Sequence, residues 1–321
     1  MPSFLLEAAS SPSMLRLQDV GMHCGLEYTS YPYFSKVEPY SRYAHSLGVA
    51  MIVYRFTGDP KQALAGLYHD IATPCFSHVV DFLKGDHEAQ ESTEEATRSI
   101  IESDPKNIEN LCKSGIKLDE VDDYHRYPIA DNDSPKLSAD RLEYSLANFL
   151  HFGFASKEET QSLYDDLMVS ENEEGAVELA FRSLDKAKRF GHLMMKNADM
   201  YSRKEDRYAM EMLSRLLHRA IEEKVIAETD LYGREKDLVL KLSQSHLSRG
   251  WEDFTWLSRV ETKPDASSRP FFAASIMTKK RWIDPLVHGQ GRLSELDAEF
   301  GKMVHDFLSL SFDETLYGYA E

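Results

Sequence analysis

The sequence predicts a mainly α protein, a multi-helix bundle with additional C-terminal helices and at most a minor β element. Three observations carry that class. Apolar residues recur at three- and four-residue steps along most of the chain, start and stop residues bracket those runs, and alternating strand-like patterns are scarce. With 321 residues, 42% of them hydrophobic, the chain can bury a real core and is not of disordered composition. We read residues 1–155 as the unit that carries the candidate chemistry. Residues 156–321 then form a C-terminal helical region packed on it, or the two make one continuous domain.

The elements follow in order. In "SRYAHSLGVAMIVYRFTG", Tyr43, Leu47, Ala50, Met51 and Tyr54 fall at helical steps, and Gly58 is a natural C-terminal stop. "DPKQALAGLYHDI" opens with Asp59 as N-cap and Pro60 at the first helical position. Pro74 breaks that run, and "CFSHVVDFL" resumes helical spacing. Ser92 followed by Glu95 has the form of a capping box. Residues 118–137, with two prolines and clustered Asp and Asn, predict a long ordered loop. Ser138 then caps a helix over "LSADRLEYSLANFLHFGF", and "RYAMEMLSRLLHRAIEEKVIAE" is a later amphipathic helix. "DASSRPFFAASIMTKKRW" is the best late candidate for a strand or hairpin.

Charge narrows the function. Acidic residues number 54 against 37 basic, a net of −17, and such a surface repels phosphate backbones, so no nucleic-acid partner is expected. A small nucleotide is not excluded, because cations at one pocket override the mean field. Cys24, Cys75 and Cys112 form no CxxC pair, which suits a reducing compartment. The N-terminus has no basic segment before its short apolar run, and no stretch reaches about 18 apolar residues. A cytoplasmic protein with no membrane partner is the expectation.

The chemistry-bearing residues are those that these helices would have to bury. His45 is flanked by Ala44 and Leu47, His69 and Asp70 stand side by side 24 residues later, and Asp140 opens a third helix. Imidazole and carboxylate together suit Mn, Fe, Ni or Zn, and Mg is a further candidate. Adjacent helical residues point about 100° apart, so His69 and Asp70 could share an ion only from flanking sides. The competing reading is a satisfied core pair of His and carboxylate. Asp131 and Asp133 compete with Asp140 for the last ligand position. Arg215 and His218 in "SRLLHRA" form a basic helical patch, for which amphipathic surface is the simpler explanation.

"RYAHSLGV", "LAGLYHDI" and "SADRLEY" resemble successive motifs of the HD superfamily of metal-dependent phosphohydrolases. They look closest to its deoxynucleoside triphosphate triphosphohydrolase (dGTPase-like) branch. The resemblance extends upstream to "SMLRLQDVGM", covers residues 14 to about 150, and fades afterwards. It implies an HD-domain helical bundle, a single divalent ion held by His45, His69, Asp70 and Asp140, and hydrolysis of a nucleotide or other phosphate ester. By the same resemblance Arg42 and Arg141 face phosphate, and Tyr144 lies near the sugar. His78 and His87 serve as acid or charge-stabilising groups, with Glu88 orienting His87. His78 and His87 could instead hold a second ion. A homo-oligomer is also implied.

Two departures qualify the resemblance. Thr73 stands where the triphosphohydrolases carry a catalytic histidine, and Asp19, beside Gln18, falls where they carry a substrate-reading glutamine. Threonine does not titrate near neutral pH. A monophosphate, cyclic or diester substrate therefore competes with a triphosphate, and a catalytically weak sensor of metal and nucleotide is the alternative to an enzyme.

Overall fold

The computed structural model describes residues 1–34, 37–83 and 96–320. The expected capping box at Ser92 and Glu95, and the candidates His87 and Glu88, lie outside the described residues.

Helices α1 (Ser3–Ala9) and α2 (Pro12–Leu15) lead through a short 3-10 turn into an irregular segment. α3 (Arg42–Thr57) begins where the Ser41 hydroxyl accepts from the Ala44 amide and ends at Gly58, whose φ of 66° needs no Cβ. α4 (Pro60–Tyr68) starts with Asp59 accepting from Lys61 N at 2.9 Å. α5 (Val79–Leu83), α6 (Thr97–Ser103) and α7 (Pro105–Ser114) follow. The predicted loop at 118–137 contains two 3-10 turns, Leu118–Glu120 and Tyr124–Arg126, and leads to α8 (Ala139–His151), capped by Ser138.

The C-terminal half corrects the expectation of at most a minor β element. After α9 (Lys157–Asp165) come β1 (Leu167–Glu171) and β2 (Val177–Phe181), then α10 (Leu184–Ser202) and α11 (Lys204–Glu222). Next are α12 (Glu235–Ser243), α13 (Ser248–Thr255), β3 (Leu257–Glu261), β4 (Ala273–Ser275), β5 (Leu286–Val287) and β6 (Gly291–Arg292). α14 (Leu293–Leu296), α15 (Ala298–Leu308) and β7 (Thr315–Ala320) complete the chain. One sheet has the order β1-β2-β5-β6, with β2 and β5 parallel, and a second, antiparallel, has the order β3-β7-β4. These strands were hidden for a physical reason. β5 and β6 are two residues long, and β2 is buried at four of its five positions, so no alternation of polar and apolar residues marks them.

Two apolar clusters form the interior. One gathers α1, α3, α4, α8, α10 and the first sheet around residues such as Val49, Leu67, Leu142, Phe181 and Phe190. The other joins α11, α12, α13 and the second sheet around Leu213, Leu217, Phe254 and Leu316, and also takes in Leu26 and Phe76 from the N-terminal half. Both clusters thus draw on residues before and after position 155. A segment running from Ile276 to Asp284 crosses from one cluster to the other. Among the described residues no helix is long and apolar enough to cross a membrane.

Candidate metal centre

Two glycines set the spacing of the helices that carry the site. A Cβ on Gly66 of α4 would meet the side chains of Val49 and Val53 at 3.3 Å, so glycine lets α4 settle closely on α3. On the other side, a Cβ on Gly48 would sit 2.5 Å from Glu143 Oε1, so the Glu143 side chain lies flat against α3 because residue 48 has none. α3, α4 and α8 consequently meet where His45, His69 and Asp140 are.

His45 and His69 are each tied at Nδ1. His69 Nδ1 donates to the Gly66 carbonyl at 2.7 Å, and His45 Nδ1 donates to Glu143 Oε2 at 2.5 Å. Each ring then faces the other through Nε2, and the two Nε2 atoms are 3.2 Å apart. Asp140 Oδ1 stands 3.0 Å from His45 Nε2 and 3.7 Å from His69 Nε2. Asp70 Oδ2 stands 3.8 and 3.5 Å from the same two atoms. His69 is the C-cap of α4, with φ −54° and ψ −40°, and Asp70 lies in the turn beyond, so the two side chains reach the same space from flanking sides.

The donor set fits a divalent ion. His45, His69 and Asp70 offer ligand atoms that all lie within 4.8 Å of one another, and all three residues are buried. Two nitrogens each about 2.0–2.1 Å from one ion stand roughly 3 Å apart, as these do. Without an ion, the carboxylates favour a proton on His45, which a metal would displace. Burial opposes charge on His45, yet the Glu143 and Asp140 carboxylates outweigh it and push the ring up to about 10. Burial would raise Asp70, but Arg42, His69 and His45, with a hydrogen bond from Thr73, hold it well below the carboxylate range. Burial likewise opposes Asp140, while the hydrogen bond from His45 and the two imidazoles depress it. Two ionised carboxylates therefore stand beside two imidazole nitrogens, a donor set that could hold a divalent cation.

Arg42 at the start of α3 donates from Nη1 to Asp70 Oδ2 at 2.9 Å and from Nε to Ser77 Oγ at 3.1 Å. Thr73 Oγ1 donates to Asp70 Oδ1 at 2.7 Å. Phe76 and Ser77 both have left-handed backbones, φ 60° and 52°, rather than the helical spacing expected through "CFSHVVDFL". Such strain persists only where surroundings enforce it. Here the Cys75 amide donates to the Leu231 carbonyl at 2.7 Å and the Phe76 amide to Glu235 Oε2 at 3.0 Å. The C-terminal half therefore holds the turn that shapes the centre.

Around these groups lies a cavity of about 370 Å³. Of the residues expected at the site, Arg42, His45, His69, Asp70, His78, Asp140, Arg141 and Tyr144 line it. His78 Nδ1 donates to Asp81 Oδ2 at 2.8 Å, and burial, with help from Arg281 and Arg42, lowers its basicity. Arg141 donates to the Lys136 carbonyl at 2.7 Å and pairs with Asp131 Oδ1 at 3.0 Å, which leaves Asp140 against the imidazoles. Asp133 also lines the cavity. Asp19 does not: it pairs with Arg234 and Lys236 at the surface. Arg215 and His218 pair along their own helix with Glu211 and Glu222.

Several residues in or against the site are not marked by the sequence motifs. Glu143 had a signal, since it falls three residues after Asp140 in "SADRLEY" and so one turn away on the same face. Lys279, Arg281 and Asp206 come from distant segments, and only the fold brings them in.

The HD-domain family model matches residues 42–127. The chain carries an HD domain. Its matched segment contains His45, His69 and Asp70, whereas Asp140 and Glu143 lie just beyond it. The chain is 28% identical over 202 residues to the uncharacterized protein YdhJ of Bacillus subtilis (strain 168), covering 62% of this chain and 60% of that one. It is 27% identical over 164 residues to the metal-dependent phosphohydrolase cns2 of Cordyceps militaris, covering 51% of this chain and 45% of the relative. The chain thus spans less than two thirds of the length of either relative. A hypothetical protein from Aquifex aeolicus has the same fold, with a TM-score of 0.64 over 99% of this chain and 92% of that one, at 16% identity.

Proposed function

We propose that this chain is a metal-dependent phosphohydrolase that acts on a (deoxy)nucleotide phosphate. The observation that carries the reading is the pair of Nε2 atoms 3.2 Å apart, both rings fixed at Nδ1 and flanked by Asp70 and Asp140. The HD domain and the similarity to a metal-dependent phosphohydrolase support it. His45, His69, Asp70 and Asp140 would hold a single ion of Mn, Fe, Ni or Zn, with Mg a further candidate. Such an ion supplies Lewis acidity toward water and a phosphoryl oxygen.

The chain's own groups do the rest. Arg42, one hydrogen bond from Asp70, and Arg141, pinned between the Lys136 carbonyl and Asp131, present cations beside the cage and orient a phosphate. His78, held by Asp81 and biased toward its neutral form by burial, can pass a proton at its other ring nitrogen. Thr73 spends its hydroxyl on Asp70, so the proton relay of a triphosphohydrolase histidine is replaced at that position by a ligand-orienting contact. Because threonine does not titrate near neutral pH, a monophosphate, cyclic or diester substrate competes with a triphosphate. A homo-oligomeric assembly belongs to the same proposal and is tested by light scattering.

The experiment is phosphate release from a nucleotide panel with Mn²⁺ added to metal-quantified protein. Orthophosphate release supports the reading, and tripolyphosphate from a deoxynucleoside triphosphate would restore the triphosphohydrolase branch. Bound metal with no turnover of any substrate would replace the enzyme by a sensor.

A further inference from the structure

The carboxylate that holds His45 is itself held. Glu143 Oε2, which meets His45 Nδ1 at 2.5 Å, also accepts a hydrogen bond from the Tyr40 hydroxyl. One oxygen thus links Tyr40 to the imidazole whose Nε2 atom faces His69. A glutamate side chain has several rotatable bonds, and a contact to a ring that can itself turn does not fix it. The bare backbone at Gly48 and the Tyr40 hydroxyl supply two further points of support.

Tyr40 is anchored through both its backbone and its ring. Gly21 and Ser41 form an antiparallel bridge, the Met22 amide donates to the Tyr40 carbonyl at 3.0 Å, and the Arg42 amide donates to the Val20 carbonyl at 2.9 Å. The Tyr40 ring is buried and stacks on His151, with centroids 4.9 Å apart and planes 27° apart. His151 lies about two turns along α8 from Glu143, so the helix that carries the carboxylate also seats the ring. Burial and the Glu143 charge push the phenol well above its ordinary range, so the hydroxyl keeps its proton and stays a donor. A buried hydroxyl needs an acceptor. Here the acceptor is the same oxygen that holds His45.

We propose that Tyr40 is a positioning residue of the metal centre: its hydroxyl fixes the Glu143 carboxylate, which in turn holds the His45 ring with Nε2 toward the ion. Partners one step beyond a ligand set metal affinity by limiting the orientations the ligand can take. Tyr40 and Glu143 both lie outside the matched HD segment, so this support comes from residues flanking it on either side. The inference rests on the reading of His45, His69, Asp70 and Asp140 as one metal site.

The test is calorimetric titration with Mn²⁺ of the full chain as wild type, Tyr40→Phe, Glu143→Ala and the double variant. Tyr40→Phe removes one oxygen and keeps the ring on His151, and circular dichroism should report an unchanged fold. It should lose about tenfold in Mn²⁺ affinity, the scale of one hydrogen bond to a charged group. The visible absorption of the Co²⁺-loaded variant, which reports the geometry of the ligands, should differ from that of wild type. In the Glu143→Ala background the same substitution should cost nothing further, because no carboxylate is left for the tyrosine to hold. Unchanged Mn²⁺ affinity and an unchanged Co²⁺ spectrum in Tyr40→Phe would overturn the proposal. An equal loss in both backgrounds would overturn it too, since the tyrosine would then act by packing and not through Glu143. Either result leaves the cage standing. No Mn²⁺ bound by wild type would instead sink the cage, and the positioning role with it.

Discussion

Thr73 Oγ1 donates to Asp70 Oδ1 at 2.7 Å, at the position where the resembling triphosphohydrolases carry a histidine. The threonine hydroxyl thus holds a carboxylate that we propose as a metal ligand. Outer partners of metal ligands typically affect affinity or activity by about 10–100-fold. Thr73→Val should therefore weaken Mn²⁺ binding by about that factor, while Thr73→Ser keeps it. Isothermal titration of both variants checks this, and an unchanged Thr73→Val would mean that Asp70 is fixed by Arg42 alone.

Glu143 orients His45 in the same sense, through a 2.5 Å contact to Nδ1. Glu143→Ala frees the ring and should cost about 10–100-fold in metal affinity. Gly48→Ala should imitate it in part, because its Cβ would displace the Glu143 side chain. Metal titration that leaves both variants at wild-type affinity would remove Glu143 from the site.

Arg42 and Asp70 form a buried pair, their side chains 9% and 12% exposed. Removing one partner of such a pair costs about 3–5 kcal/mol, because the other charge is left buried. Arg42→Met should lose stability on that scale in urea unfolding with chelator present, and less with Mn²⁺, which supplies a cation beside Asp70. A loss that is the same in both conditions would show that the arginine, through Ser77, acts on the strained turn instead.

Away from the centre, burial and the neighbouring Glu235 push Glu27 up to about 7. The folded state then binds this proton more tightly than the unfolded chain, whose glutamate titrates near 4.5. Its contribution to stability is full below about 4.5 and is lost as pH rises through about 7, on the order of 3 kcal/mol in all. Glu27→Gln should flatten that slope and be the more stable protein at pH 8. Parallel stability–pH curves for the two proteins would contradict the assignment.

Much of the centre was legible because its residues sit on helices with clear boundaries. Asp59 and Pro60 fix where α4 begins, and hence where His69 falls at its end. The sequence does not show the left-handed turn at Phe76 and Ser77 beyond Asp70, which hydrogen bonds to Leu231 and Glu235 hold. Glu143 was readable from its spacing to Asp140, yet it contacts His45 at Nδ1 and not at the Nε2 that faces His69. Lys279, Arg281 and the two sheets were not readable, because they depend on pairings between residues far apart in the chain, such as Ala180 with Leu286.

The central claim is that His45, His69, Asp70 and Asp140 form one metal site, and metal analysis of the purified chain after reconstitution with Mn²⁺ tests it most directly. The expected result is one divalent ion per chain in wild type and none in His69→Ala or Asp70→Ala, with both variants still folded by circular dichroism. Full occupancy in either variant, or no bound metal in wild type, would contradict the assignment of the cage.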